Sequence, residues 1–185
     1  MLVQLLTQHP EAIVQILKNT PTWVGGLFAA LLALGLSQLR NGTASLARVA
    51  IMPVAMTGFS VWGTWSAFNH SPAFAGVVAA WAVCAATMAA LIAPTRTPAT
   101  YDAASRTFAT PGSWVPLALI MGIFLTKYIV GVELAMQPQL AHDSQFTLIT
   151  GALYGIFNGL FIGRAARMWR LVLRSSATPL QASAA

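Results

Sequence analysis

The chain has 185 residues, 57% of them hydrophobic and 8% charged, with a formal net charge of +6. A soluble domain carries about 25% charged residues, and the apolar stretches here lack the polar face of a soluble amphipathic helix. That excludes an ordinary water-soluble core. The positive excess does not point to nucleic acid either, because the arginines border the apolar stretches, where lipid head groups would meet them.

Met1–Asn19 reads as a weakly amphipathic prelude. Pro10 suits the first position of a helix and Glu11 its first turn. Ile13, Ile16 and Leu17 share one face. The segment is too short to span, so an interfacial helix is expected over residues 1–20. No basic region precedes Leu2–Leu6, and no small-residue cleavage site precedes His9-Pro10. The prelude is therefore expected to be retained rather than removed as a signal peptide.

Thr20-Pro21 reads as a helix cap followed by a first-turn proline. It opens a first span over about Pro21–Leu39. A short loop, Asn41-Gly42-Thr43, lies between Arg40 and Arg48. The second span covers about Val49–Phe68, with Pro53 early, where a missing N–H costs least. Asn69-His70-Ser71-Pro72 reads as a tight turn with Ser71 as a cap. The alanine-rich third span is about Pro72–Ile92. The longest polar loop follows, and Tyr101–Phe108 within it suits a small hairpin around an Asp-initiated turn. Span four is about Ser113–Met136, ended by Gln137-Pro138. Asp143 or Ser144 opens span five, about Gln145–Ile162, whose helix continues through Arg174. A disordered tail is expected over 175–185. The lone cysteine, Cys84, falls inside span three as a small core residue.

Each span approaches the ~20 residues that cross a bilayer. The expected fold class is all-α: a polytopic membrane helix bundle of five transmembrane helices over 21–174, with the N-terminal interfacial helix. Topology follows from the arginines. Arg40 and Arg48, then Arg96 and Arg106, then Arg164, Arg167, Arg170 and Arg174 occupy alternate connections. The positive-inside rule puts the C-terminus in the cytoplasm and the N-terminus outside. Anionic lipid at the cytoplasmic face is the expected partner of these arginines.

In span five, Gly151, Gly155, Gly159 and Gly163 recur every fourth residue. That row forms a glycine groove that lets a neighbouring backbone approach closely, inside the chain or between subunits of a homo-oligomer or larger membrane complex. Gly25, Ala29 and Ala33 repeat the pattern in span one, and Gly76, Ala80 and Cys84 more weakly in span three.

Polar groups in the apolar stretches are the candidate site. Lys127 stands thirteen residues after Trp114, ~20 Å along a helix rising 1.5 Å per residue. A cation at that depth costs at least ~2.5 kcal/mol unless it snorkels or finds partners. Ser60, Trp81 and Tyr154 fall in roughly the same layer. Glu133 is about 120° around the helix from Lys127, so it is not a stacked partner. Lys127, Glu133 and Tyr154 form the candidate intramembrane polar site. Asn158 lies deeper and suits an interhelical hydrogen bond. The outer face collects His70, His142, Asp143 and Glu133, with His9. No pair has dedicated ligand spacing, so His70, His142 and Asp143 are weak metal candidates only. No cofactor is expected, and no catalytic, nucleotide or metal motif is present.

Thr20–Arg40, Gly112–Val132 (GSWVPLALIMGIFLTKYIVGV), Gln139–Arg170 and the Tyr101–Phe108 loop together resemble an uncharacterised, mostly proteobacterial family of integral membrane proteins, defined as a domain of unknown function. The resemblance covers most of the chain outside the prelude and the tail. It implies a bacterial inner-membrane protein of several spans and implies no activity. Three function classes follow. The first is an accessory or interaction subunit of a membrane assembly. The second is a small oligomeric transporter or channel using Lys127 and Glu133. The third is a metal or cofactor binder on the outer face.

Overall fold

The computed structural model describes residues 18–182. Five helices dominate: α1 (Thr22–Ser37), α2 (Leu46–Phe68), α3 (Phe74–Ile92), α4 (Val115–Met136) and α5 (Ser144–Ala182), with a 3-10 turn at Pro138–His142. Three short strands, β1 (Gly42–Ser45), β2 (Thr100–Asp102) and β3 (Thr107–Thr110), form one antiparallel sheet in the order β1-β3-β2. The all-α expectation is corrected at this point. The hairpin around Tyr101–Phe108 is present, and the stretch after Asn41, read as loop, adds a third strand.

The apolar residues make α2, α3, α4 and the Ser144–Ser175 part of α5 long and apolar enough to cross a membrane. The chain thus carries four such helices among its described residues. Helix α1, with 16 residues, rises only about 24 Å against ~30 Å of hydrocarbon. Of the interfacial helix expected over 1–20, residues 1–17 lie outside the described residues. The tail expected to be disordered from Ser175 is helical to Ala182. Ala177, Leu180, Gln181 and Ala182 are good helix formers, although Pro179 removes one backbone hydrogen bond from this last stretch.

The chain divides into two units, Met1–Arg40 with Ser113–Leu140, and Asn41–Gly112 with Ala141–Ala185. In the first, α1 and α4 pack as an antiparallel pair. The Thr20 hydroxyl meets the Tyr128 hydroxyl at 2.6 Å. The rings of Phe28 and Phe124 lie 5.3 Å apart, and Gly35 abuts the Leu117 side chain. Thr20 is therefore not the cap of α1; Pro21 holds that position without a side-chain hydrogen bond. The Gly25 row makes no such contact among the described residues, none of which comes within 4 Å of where a Gly25 Cβ would stand. Gly35 sits on another face of the helix from Gly25, Ala29 and Ala33 at 100° per residue, and that face makes the close contact.

In the second unit α2 and α3 are antiparallel, with Trp65 edge-on to Phe74 at 5.4 Å and Trp81 Nε1 donating to Ser60 Oγ at 3.0 Å. Helices α3 and α5 run parallel in close contact. A Cβ on Gly151 would stand 2.9 Å from the Val77 carbonyl oxygen, and one on Gly155 would clash with the Trp81 carbonyl. Gly159 faces Ala85 in the same way, and Gly163 faces Ile92 with the Ala89 carbonyl at 3.1 Å. The glycine row of α5 is thus filled by α3 of the same chain. Absent side chains let the two backbones approach, and dispersion between them holds the pair together.

The sheet closes the end of this unit where α2 begins and α3 ends. Ser45 Oγ accepts the Arg48 N–H at 3.3 Å and caps α2. Phe108 of β3 is fully buried and packs 5.0 Å from the Tyr101 ring. The turn between β2 and β3 is held by Asp102, which accepts the Ala104 N–H at 3.0 Å and the Ser105 hydroxyl at 2.5 Å. Arg106 takes the left-handed backbone conformation there, φ 52°. A non-glycine residue tolerates that conformation within a tight turn at modest cost.

Candidate functional site

Two polar features stand out in the second unit, one inside its three helices and one at the sheet end. The inner one is a seam between α2 and α5. On α5, Thr147, Thr150, Tyr154 and Asn158 are all buried, and their spacing of three or four residues puts them on one stripe. On α2, Thr57, Ser60 and Thr64 follow the same rule. Thr57 Oγ1 donates to Asn158 Oδ1 at 3.0 Å. Thr64 and Thr147 turn their hydroxyls to backbone carbonyls four residues earlier, those of Ser60 and Asp143. Trp81 links the layers: its backbone lies against Gly155 and its indole N–H reaches Ser60.

Asn158 is 4% exposed, and its Nδ2 has no hydrogen-bond partner among the described residues. Reversing the amide does not remove the deficit, because a single Thr57 hydroxyl can match one end of the group only. An unmatched buried donor costs roughly 1–3 kcal/mol. The interhelical bond expected of Asn158 is therefore present, and half of the amide is left over.

The residues singled out from the sequence do not all converge here. Tyr154 lies on the seam. Lys127 and Glu133 are on α4, in the other unit, Lys127 exposed and Glu133 half-buried. The outer-face residues have separate tasks. Asp143 caps α5, its Oδ1 accepting the Phe146 N–H at 2.7 Å. His142 ends the 3-10 turn and His70 is exposed in the α2–α3 turn. Among the described residues no three His, Cys, Asp or Glu side chains gather to hold a metal.

The second feature is a basic rim at the sheet end. Arg167 Nη1 donates to Thr95 Oγ1 at 3.1 Å and to the Arg96 carbonyl at 3.3 Å. Arg170 Nη1 donates to the Ala93 carbonyl at 3.1 Å. The Ala93 carbonyl ends α3, where the helix dipole is negative and favours cations, and Thr95 and Arg96 lie in the turn just past it. Sequence reading found the arginines and their alternation, but not that two of them fasten α5 to the end of α3. It also missed Thr57, whose uncharged hydroxyl looks ordinary in an apolar helix; the signal was its place one turn from Ser60 on a stripe of small polar residues.

No curated protein sequence and no solved structure matches the chain. The model of a family of unknown function, DUF6622, matches residues 1–179, the N-terminal prelude included. With nearly its whole length covered by that one model, the chain belongs to the family of unknown function DUF6622.

Proposed function

We propose that the protein is a multi-pass bacterial inner-membrane protein acting as an accessory or interaction subunit of a larger membrane assembly, with its N-terminus outside and its C-terminus in the cytoplasm. One observation carries the membrane part. Ile51, Val54, Val61, Trp62 and Trp65 are 50–73% exposed and fall within ~100° of the α2 circumference at 100° per residue. Such a face is tolerated only against lipid or another apolar chain. Helix α1 becomes the fifth span when the polar turns beside it sit in a locally thinned bilayer. The parallel course of α3 and α5 fits an outward-to-inward direction for both. The glycine row of α5 is occupied inside the chain, so a partner would meet α2 or α4 instead. Purification in mild detergent with native mass measurement tests this reading. A stoichiometric complex with a larger chain supports it, and a lone 19.6 kDa species from native membranes overturns it.

A second reading, a small oligomeric transporter or channel, gains from the unmatched amide of Asn158. In that reading Lys127 and Glu133 serve a route in the first unit, and Asn158 is a separate buried polar group of the second. Flux assays in proteoliposomes, with Lys127→Met and Asn158→Leu, test it: unchanged flux in both variants removes it.

A further inference from the structure

The basic rim carries more charge than its own contacts balance. Arg167 and Arg170 hydrogen-bond to carbonyls and a hydroxyl. Those groups satisfy N–H donors but bear no net charge. The end of α3 supplies roughly half a negative charge to two full positive ones. Arg164 stands one turn before Arg167 on α5, and Arg96 adds its own side chain beside the carbonyl that Arg167 holds. The only acidic side chain between Asn41 and Gly112 is Asp102, and its carboxylate is engaged by Ala104 and Ser105.

The surroundings show what kind of anion fits. Arg164 follows directly on the apolar run that ends at Ile162 and Gly163. Trp169 stands among the arginines, a residue type that settles at head-group depth. Leu91 in the last turn of α3 is 61% exposed and Leu173 on α5 67% exposed. Positive forks beside exposed aliphatic side chains suit a molecule with a phosphate and acyl chains better than a small soluble anion.

We propose that Arg96, Arg164, Arg167 and Arg170 form a binding site for the phosphodiester of an acidic phospholipid, with Leu91 and Leu173 along its acyl chains. This deepens the functional reading above and rests on its placement of this end of the helices at a membrane face. The pinned guanidinium groups of Arg167 and Arg170 have already lost rotamer freedom, so a phosphate meets preset donors. A guanidinium fork matches two phosphate oxygens, which an ammonium does not.

The test uses the full chain, exchanged into detergent with equal phosphatidylglycerol and phosphatidylcholine, with retained lipid counted by native mass spectrometry. The wild type is expected to retain phosphatidylglycerol over phosphatidylcholine by on the order of tenfold, from the stabilisation each arginine gains near anionic lipid. Arg96→Gln with Arg164→Gln, which leave the contacts to α3 intact, should bring the two lipids toward parity, and Arg96→Lys with Arg164→Lys should fall between. Equal retention of both lipids by the wild type overturns the proposal even if no variant folds. Undiminished preference in the folded Gln variant also overturns it. So does displacement of the lipid by inorganic phosphate, which would make this a soluble-anion site. The subunit reading fails by a different result, a chain without a partner, whatever lipid it holds.

Discussion

The hydroxyl of Thr57 donates to Oδ1 of Asn158 across 3.0 Å, joining α2 and α5 over 101 residues of chain. Hydrogen bonds between membrane helices average only ~0.6 kcal/mol, less than the cost of one unmatched buried amide end. The pair is thus no net source of stability. Asn158→Leu should leave the fold as stable as before, or more stable by about 1 kcal/mol, because it removes the unmatched group. Thr57→Val should cost about 1–2 kcal/mol, because it leaves both ends of the amide unmatched. Denaturation in detergent checks the order; a larger loss for Asn158→Leu than for Thr57→Val would show that the amide has another partner.

Glycine substitutions should divide sharply by position. Gly155→Ala and Gly159→Ala push a Cβ into the backbone of Trp81 and Ala85, which should cost about 1–3 kcal/mol. Gly35→Ala should cost less, because its nearest neighbour is the end of the Leu117 side chain, which can turn away, while the Leu117 Cα stands at 3.2 Å. Gly25→Ala, with no described residue within 4 Å, should be neutral or stabilise by roughly 0.5–1 kcal/mol through helix propensity. Thermal unfolding of the four variants in one detergent separates the two groups.

Phe108 is the one aromatic residue of the sheet with no exposed surface. Phe108→Ala should remove about 3 kcal/mol of packing, and the loss should appear at the sheet end rather than in the helices. Limited proteolysis between Thr97 and Gly112 should become faster while helix content stays unchanged.

The Asp102 carboxyl is held below the usual carboxylate range, chiefly by the Ser105 hydroxyl and then by the Ala104 N–H. A depressed value means that folding favours the charged form. The turn is therefore fully held above the ordinary carboxylate value and loosens as pH falls through the lowered one. Hydrogen exchange at Ala104 should quicken in acid, and Asp102→Asn should flatten that dependence.

Much of the helical layout was legible because lipid leaves one requirement, a long apolar run with every backbone group bonded internally. Hence α2, α3, α4 and the start of α5 fall within a few residues of the stretches read from sequence. The Asp102 turn and the Asp143 cap were legible too, since local hydrogen-bond chemistry fixes them. Strand β1 was not, because Gly42–Ser45 shows no alternation and pairs only with a strand 65 or so residues on. The partner of Asn158 and the fastening of Arg167 to α3 are likewise contacts between distant segments, which spacing along one helix does not reveal. The row at Gly25 shows the reverse: small residues permit close approach without requiring it.

Alkaline carbonate extraction of membranes from cells expressing the full chain tests the lipid environment most directly. Retention in the membrane pellet, with release only by detergent, is the expected result. Recovery of the intact chain in the carbonate supernatant would contradict the placement of these helices in lipid and everything built on it.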